Sequence, residues 1–281
     1  MPRVFNSVAD NAGVHQERRV ALKFAYDGSK FFGFQRQPSK LTVEGSLVRA
    51  LEMVDAIKSP RECGYRSSSR TDRGVSSLGN IISFRTRFVA KEVCSAINSK
   101  MEDIWAYSAV EVQEDFNPRA ARQRWYRYYL ARRDQDLPLM RQMAARFVGI
   151  HDFSGYARKD KRNPMRKIDS IVVSDHHGLF YAVDFKAESF LWNMVRRIVW
   201  MMNEGSSGRM SLDAIGPAAP KRPVRIGLSP PEYLVLMSID CGIDFPVDKR
   251  AFIGIVRDVE RRIRQEAMKL ELVEEISRLI A

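Results

Sequence analysis

Residues 116–133 read FNPRAARQRWYRYYLARR, and here the chain begins its pattern a second time. Tyr126, Tyr128 and Leu130 alternate with Arg127 and Tyr129, the period-two signature of a half-buried strand. Downstream, residues 138–148 suit a helix, and 168–174 with 179–186 make a hairpin around DHHG (175–178). FLWNMVRRIVWMM (190–202) then gives a helix with Phe190, Leu191, Met194, Val195, Ile198 and Met202 on one broad apolar stripe. GPAAPKRPVRIGLSPPE (216–232) is a loop, and Tyr233, Val235, Met237 and Ile239 alternate as a last strand. From residue 248 the chain reads as a helical tail with Phe252, Val256, Val259 and Ile263 in register.

Upstream the kinds of element are the same. Val20, Leu22, Phe24 and Tyr26 alternate as a strand that Asp27 and Gly28 stop. Thr42 caps a helix with Val43, Leu47, Leu51 and Val54 on one face, running to about Ile57. CGYRSSSRTDRGVSSLGN (63–80) breaks the apolar pattern, which resumes at Ile81, Ile82 and Phe84 before a helix from Lys91 to Asn98 and a strand from Ile104 to Val112. Two units of sheet plus helix, rich in hairpins, specify an α+β fold with a largely antiparallel sheet rather than a doubly wound one. The expected division is a polar N-terminal extension over 1–19, a first lobe over 20–120, a second over 121–247 and the helical tail over 248–281.

The 281 residues carry 46 Lys+Arg against 34 Asp+Glu, a formal charge of +12, which favours a polyanion as partner over a merely solvated surface. Cys63, Cys94 and Cys241 lie far apart, and His15, His151, His176 and His177 have no ligand spacing, so neither a zinc site nor a disulfide framework is expected. The sequence has no apolar run long enough for a membrane span and no signal-peptide core, which points to a soluble, cytoplasmic protein.

SSSRTDRGVSSLG (67–79) holds Asp72 between Arg70 and Arg73 in a loop rich in Gly and Ser. A carboxylate beside guanidinium groups stays ionised, which suits a nucleophile or base; an Asp capping a surface turn would look the same in isolation. Four strings settle the choice by their order: YDGSKFFGFQRQ (26–37), SSRTDRGVSSLGN (68–80), FNPRAARQRWYRYYL (116–130) and SFLWNMVRRIV (189–199). Together they resemble the tRNA pseudouridine synthase A (TruA) family, with its R-T-D-x-G-V, Y-R-Y and F-L-x-x-M-V-R, from about Val20 to Phe245. Ser76 stands where that family usually has His, Arg73 where it has Ala, Phe34 where it has Trp, and F-N-P-R where it has F-H-A-R.

The resemblance implies two similar α+β lobes sharing a continuous sheet, with the active-site cleft between them. It implies that Asp72 is the catalytic carboxylate, that Tyr126 packs on the target base, that Arg196 pairs with the Asp and that Arg70 helps to extrude the base. The implied reaction isomerises uridine to pseudouridine in the anticodon stem and loop of tRNA, by a homodimer, with no metal and no cofactor. A pseudouridine synthase acting on another RNA, or an inactive RNA-binding protein of this fold, would share most of these features. Lys30, Arg36, Gln37 and Lys40 on the first loop are expected to meet RNA, as are Lys159, Lys161, Arg162, Arg166 and Lys167. Phe31 and Phe32 suit RNA contact or packing on the first helix equally. Trp192, Met194, Met201 and Met202 read as core or subunit interface.

Overall fold

The computed structural model describes residues 17–158, 163–217 and 226–280. Most of the expected N-terminal extension, Lys159, Lys161 and Arg162 of the second basic cluster, and residues 218–225 of the proline-bearing loop lie outside them. The described strands are β1 (Arg18–Tyr26), β2 (Arg66–Ser67), β3 (Ser76–Thr86), β4 (Ile104–Val112), β5 (Gln123–Ala131), β6 (Gly149–Asp152), β7 (Met165–His176), β8 (Phe180–Ala187) and β9 (Leu234–Asp240). They form one sheet in the order β4-β1-β3-β9-β5-β8-β7-β6, with β2 paired to β3. Among the described pairs only β3–β9 is parallel. The mostly antiparallel α+β architecture expected from the sequence is the one observed.

Helices α1 (Val43–Met53), α2 (Ala90–Asn98), α3 (Leu137–Arg146), α4 (Met194–Ser206) and α5 (Lys249–Ile280) accompany the sheet. Val20, Leu22, Phe24 and Tyr26 of β1 are buried in one apolar cluster with Val43, Leu47 and Leu51 of α1 and Val93, Cys94 and Ile97 of α2. Tyr126 and Tyr128 of β5 lie in a second with Val183 and Phe185 of β8, Met140 and Met143 of α3, and Met194, Ile198, Met201 and Met202 of α4. Thr42 caps α1 as expected, its hydroxyl accepting from the Gly45 amide at 3.2 Å. Among the described residues, no helix is long and apolar enough to cross a membrane.

Among the departures from the sequence reading, three element ends and one strand register have a local reason. Helix α1 stops at Met53, short of Ile57, because Asp55 takes a left-handed conformation (φ 55°). Strand β3 begins at Ser76, five residues before the apolar pattern resumes, because Ser77 and Asn80 are fully buried and satisfied by hydrogen bonds. Ser77 Oγ donates to Leu236 O at 3.1 Å and Asn80 Nδ2 to Ser69 O at 3.0 Å. Helix α4 begins at Met194, since Asn193 before it is left-handed (φ 67°), so Phe190 to Trp192 belong to a loop. In β9 the register slips: Trp125 faces Ser238 while Tyr126 faces Leu236, leaving Met237 as an extra residue. That bulge changes the phase: Leu234, Leu236 and Ile239 are buried, whereas Val235 and Met237 of the expected series are only partly buried and Tyr233, before the strand, is exposed.

Helix α5 forms as expected, but its apolar face is not buried: Phe252 is 50% exposed and Ile263 61%. Ala251 packs in the first cluster, and polar contacts tie the helix to β4 and the turn before it. Trp105 Nε1 donates to Asp258 at 3.0 Å, and Arg262 pairs with Asp103 at 2.5 Å.

The first loop, residues 27–42, docks on the segment before β3. The Gly28 amide donates to Ser76 Oγ at 3.0 Å, and a Cβ at Gly28 would lie 2.1 Å from the Val75 carbonyl oxygen. Gly28→Ala therefore forces backbone apart, and we expect it to cost about 2 kcal/mol of stability or more. Equilibrium urea unfolding checks this; an unchanged midpoint would show that the two segments are not in contact.

Candidate active-site cleft

Asp72 sits on a loop, residues 68–75, that is held from several sides. Tyr26 Oη and Thr71 Oγ1 are 2.8 Å apart, and the Phe34 amide donates to Thr71 O at 3.1 Å. Asn80 reaches Ser69 O, and the Val75 amide closes a turn on Asp72 O at 3.2 Å. Gly33, at φ 92°, lets the first loop approach to where a Cβ would be 3.2 Å from Thr71 O. These bonds fix the backbone of the loop that carries Asp72.

From the other half of the chain, α4 presents Arg196. Its Nη1 lies 3.3 Å from Asp72 Oδ2, its Nε donates to Ser229 O at 2.7 Å, and Nη1 also reaches Asn193 Oδ1 at 3.4 Å. The left-handed Asn193 thus both starts α4 and props the arginine. Tyr126 of β5 is buried beside them, its ring edge-on to Phe190 with centroids 5.4 Å apart. Burial pushes the Tyr126 hydroxyl up to about 12; the Asp72 charge adds to this, and Arg124 and a hydrogen bond with Ser69 oppose it. At neutral pH the phenol therefore keeps its proton and can donate but not act as a base.

Asp72, Tyr126, Arg196, Arg70 and Gln37, all singled out from sequence, line one cleft of ≈ 820 Å³. Five arginines line it (Arg70, Arg73, Arg119, Arg124, Arg196) against the carboxylates Asp72 and Glu188, a surplus that draws phosphate. Lys30 and Arg36 are exposed and do not line it; Arg36 pairs with Glu44 at 3.6 Å. Arg166 and Lys167 are on strand β7, and Lys167 pairs with Asp169 at 3.3 Å. Phe31 is buried and packs in the first cluster, whereas Phe32 is 38% exposed in the cleft. The three methionines are buried as expected of core, but Trp192 is 42% exposed at the cleft wall.

Sequence reasoning missed Arg124. It is buried, and its guanidinium donates to Ser69 Oγ at 2.9 Å, to Arg119 O at 2.9 Å and to Glu188 O, joining three walls of the cleft. Burial pulls its pKa down from the usual arginine value, yet the three acceptors compensate the buried charge. The available signal was its even position, which puts it on the same face of β5 as Tyr126 and Tyr128.

A family model described as tRNA pseudouridine synthase matches residues 143–240. The tRNA pseudouridine synthase A of Pyrococcus abyssi is 39% identical over 267 residues, covering 93% of this chain and all of that protein. That of Pyrococcus horikoshii is 38% identical over 268 residues, with the same coverage. The protein of the same name from Methanothermobacter thermautotrophicus is 36% identical, covering 88% of this chain and 90% of its own.

The raised Tyr126 gives a pH test whose sign is fixed. An unfolded tyrosine ionises near pH 10 while the folded one stays neutral to about 12. The stabilisation is thus complete below pH 10 and disappears as pH rises through 12. Burial also raises Tyr26, Tyr128 and Tyr156. Unfolding free energy should fall over this interval, and less steeply in Tyr126→Phe; equal slopes in denaturant titrations would mean that Tyr126 is not buried.

Proposed function

The chain belongs to the tRNA pseudouridine synthase A family, and on that premise we propose that it converts uridine to pseudouridine in the anticodon stem and loop of tRNA, with Asp72 as the catalytic carboxylate. The observation that carries the reading is the Asp72–Arg196 pair set beside Tyr126 in a cleft rich in arginine. The isomerisation breaks the bond from N1 of uracil to C1′ of ribose, turns the base, and joins C5 to C1′. The hydrogen lost from C5 is balanced by one gained at N1, so the chemistry is redox-neutral and calls for no cofactor or metal.

A base inside a stem or a stacked loop must leave the stack first. Arg70, exposed at the cleft, fills the space it leaves, and Tyr126 packs on the flipped uracil while keeping its hydroxyl protonated. Arg196 pairs with Asp72 and orients it, and Asp72 attacks or deprotonates the nucleotide. Gln37, Lys30, Arg36, Arg162 and Lys167 contact the RNA away from the reacting base. The same reading takes residues 20–120 and 121–247 as lobes around the substrate, with residues 248–281 as a helical tail. It makes the protein a cytoplasmic homodimer with tRNA spanning both subunits. The free thiols of Cys63, Cys94 and Cys241 suit a reducing compartment.

Asp72→Asn is expected to leave less than about one per cent of single-turnover pseudouridine formation while tRNA affinity stays within a few-fold, because the carboxylate does chemistry and the cations do the binding. Greater residual activity would remove Asp72 from the reaction. The tRNA affinity of the wild type should fall with salt at a slope equivalent to at least about four phosphate contacts, and a flat profile would remove the RNA-binding face.

A further inference from the structure

Two aromatic rings in the cleft are exposed yet held. Phe32 is 38% exposed although its neighbour Phe31 is buried, so the first loop turns one phenyl in and the other out. Its backbone is tied at both ends: the amide donates to Leu41 O at 2.8 Å, and the carbonyl accepts from Gln37 Nε2 at 2.9 Å. The Arg73 guanidinium lies 4.3 Å from the ring centroid and Lys40 Nζ 4.7 Å. Trp192, in the loop before α4, is built the same way. It is 42% exposed, its carbonyl accepts from the Arg158 amide at 3.2 Å, and the Arg158 guanidinium lies 4.3 Å from its ring centroid.

One exposed aromatic side chain needs no explanation. Two of them, from different halves of the chain, both lining the cleft of Asp72 and each carrying an arginine over its ring, form a pattern. Every nucleobase has a π-face, and aromatic rings and guanidinium planes are the groups on which unpaired bases stack. The same arginines carry charge for the adjoining phosphates.

We propose that Phe32 with Arg73, and Trp192 with Arg158, are two stacking platforms that seat the nucleotides on either side of the flipped uridine. This rests on the isomerase reading and extends it to the substrate: an RNA segment splayed across the cleft, gripped by its bases without regard to their identity. With its neighbours seated, the target uridine is the base left to turn into the site of Asp72 and Tyr126. Phe32 and Trp192 are positioning residues, since neither touches the reacting atoms.

The test uses an anticodon stem-loop RNA with 2-aminopurine placed next to the target uridine, on one side and then on the other. Wild type should quench both probes on binding. Phe32→Ala should restore fluorescence at one position and Trp192→Ala at the other, each raising KM roughly tenfold or more. Single-turnover conversion at saturating enzyme should fall less than KM rises, and Phe32→Tyr and Trp192→Phe should restore both quenching and KM. Product formation without quenching in the wild type, or quenching and KM unaffected by both alanine variants, would overturn the proposal. So would a change of oligomeric mass in Trp192→Ala, which would make that ring a subunit contact. Quenching with no pseudouridine formed by wild type would sink the isomerase reading and leave the platforms standing.

Discussion

The ion pair between Asp72 and Arg196 joins residues 124 positions apart, and the rest of the structure is arranged so that they meet. The two side chains are only 28% and 10% exposed, so each charge has given up much of its water. Removing either partner would leave the other, partly desolvated, without its counter-ion, which costs more than losing a fully exposed salt bridge. The pair is therefore a constraint on the whole chain.

What brings the partners together is the junction of the sheet. β9 comes late in sequence but lies between β3 and β5, parallel to the first through Ser76–Val235 and Ser77–Leu236, and antiparallel to the second. β3 leads out of the Asp72 loop, and β5 carries Tyr126 and Arg124. Inserting β9 sets the distance between them. The junction is polar as well as apolar: Ser77, Asn80 and Arg124 are buried there, Ser77 and Arg124 bonded across it and Asn80 bonded to the Asp72 loop. Such bonds are directional, and a shift of one residue would leave several buried groups unsatisfied, so register and site geometry are fixed together.

These same features decide how much could be read from the sequence. The alternation of Val20 to Tyr26 and the Thr42 cap were legible because apolar burial and capping each leave a local pattern. Asp72, Tyr126 and Arg196 stood out through the company their motifs keep. The start of β3 was hidden because Ser77 and Asn80 are buried by hydrogen bonding rather than by hydrophobicity. The phase change in β9 was hidden because a bulge at Met237 answers to the partner strand, and Asn193 gave no warning of its left-handed backbone. Arg124 was one arginine among many until its three acceptors were in place. Trp192 read as core or subunit interface because a sequence shows that a ring is apolar, not that it lies 42% exposed with an arginine over it at the cleft wall.

The central claim is that Arg196 sets up the carboxylate on which the reaction depends. Single-turnover pseudouridine formation by Arg196→Gln and Arg196→Lys, at saturating enzyme on unmodified tRNA, tests it most directly. Glutamine removes the charge that faces Asp72; lysine keeps a charge but cannot also satisfy Ser229 as the guanidinium does. The rate is expected to fall in the order wild type, lysine, glutamine, with at least a roughly hundredfold loss in the last and tRNA affinity within a few-fold. An Arg196→Gln enzyme working at the wild-type rate would contradict the account.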